Sequence, residues 1–298
     1  MFFHTKQFQY NAKPDAPDPI FAKQMQELLG GQWGEISVMM TYLFQGWNCR
    51  GPAKYRDMIM DIATEEIGHV EMIATMIARL LETSPVEAEK AAEQGGDGGG
   101  VVGAVLGGGD TQDAIINAAM NPQHAIVFRG GATPNDSQGF PWNSRYTIAS
   151  GNLLADFRFN VTAESQGRLQ VARLYQLTGD AGVRDMFSFL LARDNMHQNQ
   201  WLATIEELAA DGLEENPVPS NFPVEREMSE VAYKFYNFSE GEESAQGRWA
   251  QGPSIDGKGE FEYVAGPQAM GPEMVELDPP VEPRLYSTPK QPMQASSS

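Results

Sequence analysis

The chain has 298 residues, a single cysteine (Cys49), 41% hydrophobic residues and a net charge of −19 at pH 7. That length buries a substantial core, whereas the acidic balance argues against nucleic acids, which demand clustered Lys and Arg, and against anionic membrane surfaces. One cysteine excludes an intrachain disulfide, and no run approaches the ~20 apolar residues needed to span a bilayer.

The first residues, Met1-Phe2-Phe3-His4-Thr5-Lys6-Gln7, lack the basic-then-apolar order of a signal peptide. The expectation is a soluble, cytoplasmic protein. Residues 1–18 read as an N-terminal extension. Four helical patterns follow, over 20–47, 55–82, 152–177 and 182–210, each with apolar residues at three- and four-residue spacing and no interior proline. Gly30, Gly31 and Gly34 weaken the first by ~1 kcal/mol each or let the backbone of a neighbouring helix come close.

Between the second and third patterns lies a long connection, about 84–150. Its 94–110 stretch is too rich in glycine for a regular element, and a short helix is expected at 111–120. Two helices, a long crossover and two more helices describe an all-α four-helix bundle with one crossover, spanning 19–212. Beyond it the prolines concentrate, and 213–298 reads as a coil-rich arm fading toward Ser298 rather than a separate domain.

The inward faces carry the chemistry. In the second pattern the seam runs Tyr55, Ile59, Ile62, Glu66, His69, Ile73, Met76, Leu80. The fourth repeats it as Val183, Phe187, Leu190, Asp194, His197, Trp201, Thr204, Leu208. The third contributes Leu153, Phe157, Val161, Glu164, Val171 and Leu174, and the first Leu28, Glu35, Met39 and Tyr42. Glu35 and Glu164 precede His69 and His197 by 34 and 33 positions, so the pattern is doubled. Each helix thus points ionisable groups into the middle of an apolar seam. Buried charge is costly unless paired or bound to metal. No lysine lies on these seams and Arg168, one turn from Glu164, is the only candidate arginine. A divalent metal pair supplies the missing positive charge, and carboxylate-rich ligation with one imidazole per ion suits manganese or iron.

If Glu35, Glu66 and His69 hold one ion and Glu164 and His197 the other, one carboxylate must bridge. Asp194, a methylene shorter than glutamate, has two open roles: a proton acceptor beside the metals, or a hydrogen-bond acceptor that orients His197 or a water. Glu65 and Glu71 leave the seam and read as solvated groups or as groups standing just behind the metal ligands.

The stretches Leu29-Gly30-Gly31-Gln32-Trp33-Gly34-Glu35, Thr64-Glu65-Glu66-Ile67-Gly68-His69 and Ala192-Arg193-Asp194-Asn195-Met196-His197 resemble those of the manganese catalases, non-haem dimanganese enzymes of the ferritin-like superfamily. The resemblance implies a ferritin-like bundle whose ligands are Glu35, Glu66, His69, Glu164 and His197, with Glu66 bridging. Tyr42 matches a family tyrosine that hydrogen-bonds the ligand set. Some members carry glutamate where Asp194 stands, acting as proton acceptor, and arginine where this chain has Ala163. The hydrogen-bond network around the ligands here therefore differs from theirs.

Part of the family also binds calcium through two aspartates a helical turn apart and an Asn-x-Ser-x-Gly segment. Asp57 and Asp61, with Asn237, Ser239 and Gly241, match that pattern, and such hard oxygen donors suit calcium. The family is typically homohexameric. The implied reaction is disproportionation of hydrogen peroxide to water and dioxygen, with the metals passing between the dimanganese(II) and dimanganese(III) states. The rivals are a diiron ferritin-like oxidase or peroxidase, and a non-catalytic shell or coat protein that retains a metal site.

Overall fold

The computed structural model describes residues 3–82, 131–213, 224–268 and 270. The stretch 94–110, the short helix expected at 111–120 and the end of the arm lie outside them. The chain divides into two compact units, Met1–Pro219 and Ser220–Ser298.

In the first unit, α1 (Pro19–Gly30) starts where the Asp18 side chain accepts from the Phe21 amide at 2.9 Å and proline occupies the first turn. It does not continue into the next helix, as the single 20–47 pattern predicts. Gly31 is extended, and a new helix, α2 (Glu35–Asn48), begins after Gly34. The reason for the break is tertiary. A Cβ on Gly30 would collide with the backbone of Asn135, and the buried Gln26 amide donates to the carbonyls of Thr133 and Asn135 at 2.6 and 2.7 Å. The close approach at Gly30 is thus made by the far end of the crossover and not by a neighbouring helix.

Helix α3 (Ala53–Leu80) packs on α2. Helix α4 (Leu153–Leu177), capped by Asn152, packs on α5 (Ala181–Ala210), capped by Asp180. The predicted seams are buried throughout α3 and α5. On α4 one position differs: Val161 is half-buried, and Asn160 is buried beside it. Its amide exchanges hydrogen bonds with that of Gln45 on α2 at 2.9 and 2.7 Å, so a polar group displaced from solvent is satisfied within the pair.

The apolar seams form two clusters. One gathers Leu28, Ile73, Met76, Val171, Phe187 and Leu190, and the other Tyr42, Tyr55, Ile59, Phe157, Trp201 and Leu208. Along α3 and α5 the changeover falls at Glu66–His69 and Asp194–His197, so the ionisable groups form a polar layer between two dry ones.

The second unit contains a four-residue helix, α6 (Ser229–Ala232), and a three-stranded sheet. Strand β3 (Glu260–Val264) is central, parallel to β1 (Lys234–Tyr236) and antiparallel to β2 (Gln251–Pro253). Strands of three to five residues are too short for alternation to register in the sequence, and the coil expected there hides them. No helix among the described residues is long and apolar enough to cross a membrane.

Candidate metal centre

Four acids and two histidines converge where α2, α3, α4 and α5 face one another. Glu35, Glu66, Glu164 and Asp194 are each at most 5% exposed, and His69 and His197 are fully buried. Glu66 stands in the middle. Its Oε2 lies 2.7 Å from Nδ1 of His69 and its Oε1 lies 2.8 Å from Nδ1 of His197. Glu35 approaches His69 Nδ1 at 3.8 Å, and Glu164 approaches His197 Nδ1 at 3.9 Å. Two clusters result, Glu35–Glu66–His69 and Glu66–Glu164–His197, each with its ligand atoms within 4.8 Å of one another. They share Glu66. Neither contains Asp194, which the sequence places one turn before His197.

Tyr42, wholly buried on α2, donates to Oε1 of Glu164 at 2.6 Å, and the Trp201 indole donates to the same oxygen at 3.3 Å. Arg168 turns away from the carboxylates and donates to Oε1 of Gln198 at 3.2 Å. Among the described residues, the arginine that reaches the centre is Arg193, through Glu65. Its Nε and Nη2 donate to the two Glu65 oxygens at 2.6 and 3.1 Å, and those oxygens lie 3.7 Å from Nε2 of His69 and 3.3 Å from Nε2 of His197. Glu65 is therefore a gripped, partly buried group and not a solvated one. The signal was in the spacing: Glu65 precedes His69 by four positions and Arg193 precedes His197 by four, which on a helix is the same face one turn away.

The electrostatics are those of a crowded acidic cavity. Burial, reinforced by the charge of Glu66, pushes Glu35 up to about 7 and Glu164 up to about 8. Burial, then the charges of Glu35, Glu164 and Glu66, raises Asp194 well above the usual carboxylate range. Burial opposes ionisation of Glu66 too, yet the flanking His69 and His197 outweigh it and hold its carboxyl low. Burial likewise opposes a charged His197, but Glu66 and Glu65 raise it to about 10. Among protein groups alone, protons must balance this charge. Divalent cations between the carboxylates and the two Nδ1 atoms would take their place.

The donor set fits such ions. Glu66 Oε2 and the two Nδ1 atoms it faces are buried and make no hydrogen bond of good geometry within the protein, a costly arrangement unless a ligand completes it.

For the expected calcium site, Asp57 and Asp61 stand one turn apart on the exposed face of α3, with Asp57 accepting from Arg56 at 3.1 and 3.2 Å. In the second unit Asn237, Ser239 and Gly241 form one turn. Asn237 donates to the Gly241 carbonyl at 2.7 Å and accepts from the Ser239 amide at 3.1 Å, while Gly241 adopts φ +92°, which favours glycine.

Comparison with known proteins agrees with this geometry. The family described as manganese-containing catalase matches residues 1–295. A manganese catalase of Bacillus subtilis is 59% identical over 281 residues, covering 94% of this chain and 95% of that protein. A manganese catalase of Lactiplantibacillus plantarum is 44% identical over 290 residues, covering 96% and 99%. The crystal structure of wild-type KatB, a manganese catalase from Anabaena, superposes with a TM-score of 0.65 at 25% identity, covering 90% of this chain and all of that one. Fold, acidic cavity and likeness over nearly the full length converge on one conclusion: the chain belongs to the manganese-containing catalase family.

Proposed function

We propose that Glu35, Glu66 and His69 hold one manganese ion and Glu66, Glu164 and His197 the other, at the centre where this manganese catalase disproportionates hydrogen peroxide to water and dioxygen. The observation that carries the assignment is the placement of Glu66, with one oxygen beside each histidine Nδ1. When bound, the manganese pair supplies the two-electron redox capacity of the reaction, between its (II,II) and (III,III) states.

The chain supplies position, dryness and proton handling. Tyr42 and Trp201 both donate to Oε1 of Glu164, the oxygen that approaches Nδ1 of His197, which fixes that carboxylate against the centre. The flanking apolar clusters keep bulk water out, strengthening every charge interaction inside. Asp194, buried and outside both ligand clusters, takes the role of proton acceptor. Purified protein is expected to carry two manganese ions per chain and to release oxygen from peroxide. Iron at these positions without oxygen release would overturn the reading.

Asp194→Asn separates the two roles open to that residue. A carboxyl whose folded-state value is raised is one the fold ionises at a cost, and the cost appears as pH rises above the unfolded value. Asparagine removes it. The variant is expected to be more stable than the parent at neutral pH after chelation and to retain its manganese. It should lose oxygen evolution by about 10²–10⁴-fold, the usual worth of a positioned acid or base. Undiminished turnover would make Asp194 a structural group.

A calcium ion at Asp57, Asp61, Asn237, Ser239 and Gly241, a homohexameric assembly and a cytoplasmic setting complete the proposal, on the strength of the family resemblance and of the oxygen-gathering turn at 237–241. Calcium content that is unchanged by Asp61→Asn, or light scattering at monomer mass, would remove the corresponding part.

A further inference from the structure

Consecutive residues on α3 hold the two imidazoles from opposite edges. Glu66 faces both Nδ1 atoms, and Glu65 faces both Nε2 atoms, with Oε1 3.7 Å from His69 and Oε2 3.3 Å from His197. A single carboxylate can do this because the rings lie nearly parallel, 27° apart with centroids separated by 5.7 Å. Arg193 sets the carboxylate plane by a two-pronged contact, Nε to Oε1 at 2.6 Å and Nη2 to Oε2 at 3.1 Å. Each Glu65 oxygen therefore accepts one guanidinium N–H and stands near one ring nitrogen, close enough to accept from it after a small shift but without a hydrogen bond to it in this structure. The backbone beneath is pinned as well: the Gln9 side chain donates to the Glu65 carbonyl at 3.0 Å and packs over Gly68, where a Cβ would strike it.

A neutral imidazole that ligates through Nδ1 carries its proton on Nε2. The acceptor of that proton fixes tautomer and ring orientation and raises ligand basicity. An exposed ion pair contributes little. Glu65 is mostly shielded, with its side chain 24% exposed, and it stands against two wholly buried rings.

We propose that Glu65, aligned by Arg193, is a positioning residue shared by His69 and His197, accepting both Nε2–H groups and so presenting both Nδ1 atoms to the metal side. This rests on the assignment of the two histidines as manganese ligands.

Glu65→Gln is the sharp test, because an amide keeps one acceptor oxygen and turns an NH₂ group toward the second ring. The holoenzyme is dialysed against chelator while manganese content and the electron paramagnetic resonance of the reduced pair are followed. One ion is expected to leave about 10–100-fold faster than in the parent, and the coupled-pair spectrum to give way to that of isolated manganese(II), at unchanged helical circular dichroism. Arg193→Gln should show a smaller acceleration of the same kind, with Arg193→Lys partly restoring retention. If Glu65→Gln does not fold, Arg193→Gln decides alone. Parental retention and spectrum in the variant, with His197→Ala losing manganese, would overturn the shared positioning role alone. A His197→Ala protein that keeps both ions would overturn the ligand assignment and this inference with it.

Discussion

Glu66→Ala protein is expected to retain no manganese pair and to evolve no oxygen from peroxide. Glu66 is the one residue common to both ligand clusters, and its oxygens lie 2.7 and 2.8 Å from the two Nδ1 atoms. Removing it leaves Glu35 with His69 and Glu164 with His197 as two separate pairs, too few donors to hold either ion against water. The loss should exceed that from any other ligand, because every other ligand serves one ion. The polypeptide should still fold. With Glu66 gone, Glu35 and Glu164 lose the like charge that adds to burial in raising them, which offsets part of the lost contact to the histidines. Elemental analysis and an oxygen electrode decide the matter: a Glu66→Ala protein that keeps two ions and turns over peroxide means that the bridge lies elsewhere.

The largest effect on stability is expected at Trp201. Its side chain is wholly buried, 5.0 Å from the Tyr42 ring centroid and stacked on Phe157 at 5.5 Å, with its N–H given to Glu164. Trp201→Ala removes the largest buried side chain of its cluster and should cost about 3–5 kcal/mol. It also leaves Glu164 with Tyr42 as its sole donor among the described contacts, so manganese retention should weaken. Trp201→Phe separates the terms, since it keeps most of the packing and loses the donor; with the Glu164 carboxyl raised to about 8 and so mostly neutral in chelated protein, about 0.5–1.5 kcal/mol is the usual worth of such a hydrogen bond. Guanidinium midpoints at one fixed protein concentration, on chelated protein, measure both. A Trp201→Ala variant within about 0.5 kcal/mol of the parent would place it among inconsequential surface changes and refute the account of this cluster.

Much of the centre was legible beforehand because helical periodicity is local. The step from Glu66 to His69, and from Asp194 to His197, puts both groups on a face already marked as buried by Ile59, Ile73, Phe187 and Trp201. The structure brings Glu35, Glu66, His69, Glu164 and His197 together in two clusters that share Glu66. Other features were hidden. The glycines at 30, 31 and 34 announced weakness but not a break, because what Gly30 meets is the backbone of Asn135, more than a hundred residues away. Glu65 and Arg193 stand off the apolar seam, so the period leaves Glu65 open between solvent and a place behind the ligands and does not pair it with Arg193. Asn160 took a buried place because Gln45 on another helix satisfies its amide, a pairing with no trace in the period of either helix.

The sequence by itself determined four helical patterns, the face of each that turns inward, and which acids and imidazoles occupy the middle of those faces. These follow from 3.6-residue spacing and from the cost of burying charge without a partner. Only the tertiary structure decided that Glu66 stands between the two Nδ1 atoms, that Glu65 stands between the two Nε2 atoms, and that Arg193 reaches the centre where Arg168 does not. Those outcomes depend on how far α3 and α5 are shifted and rotated against one another, and on which rotamer each long side chain adopts once packed. Neither quantity is encoded in the period of a single helix.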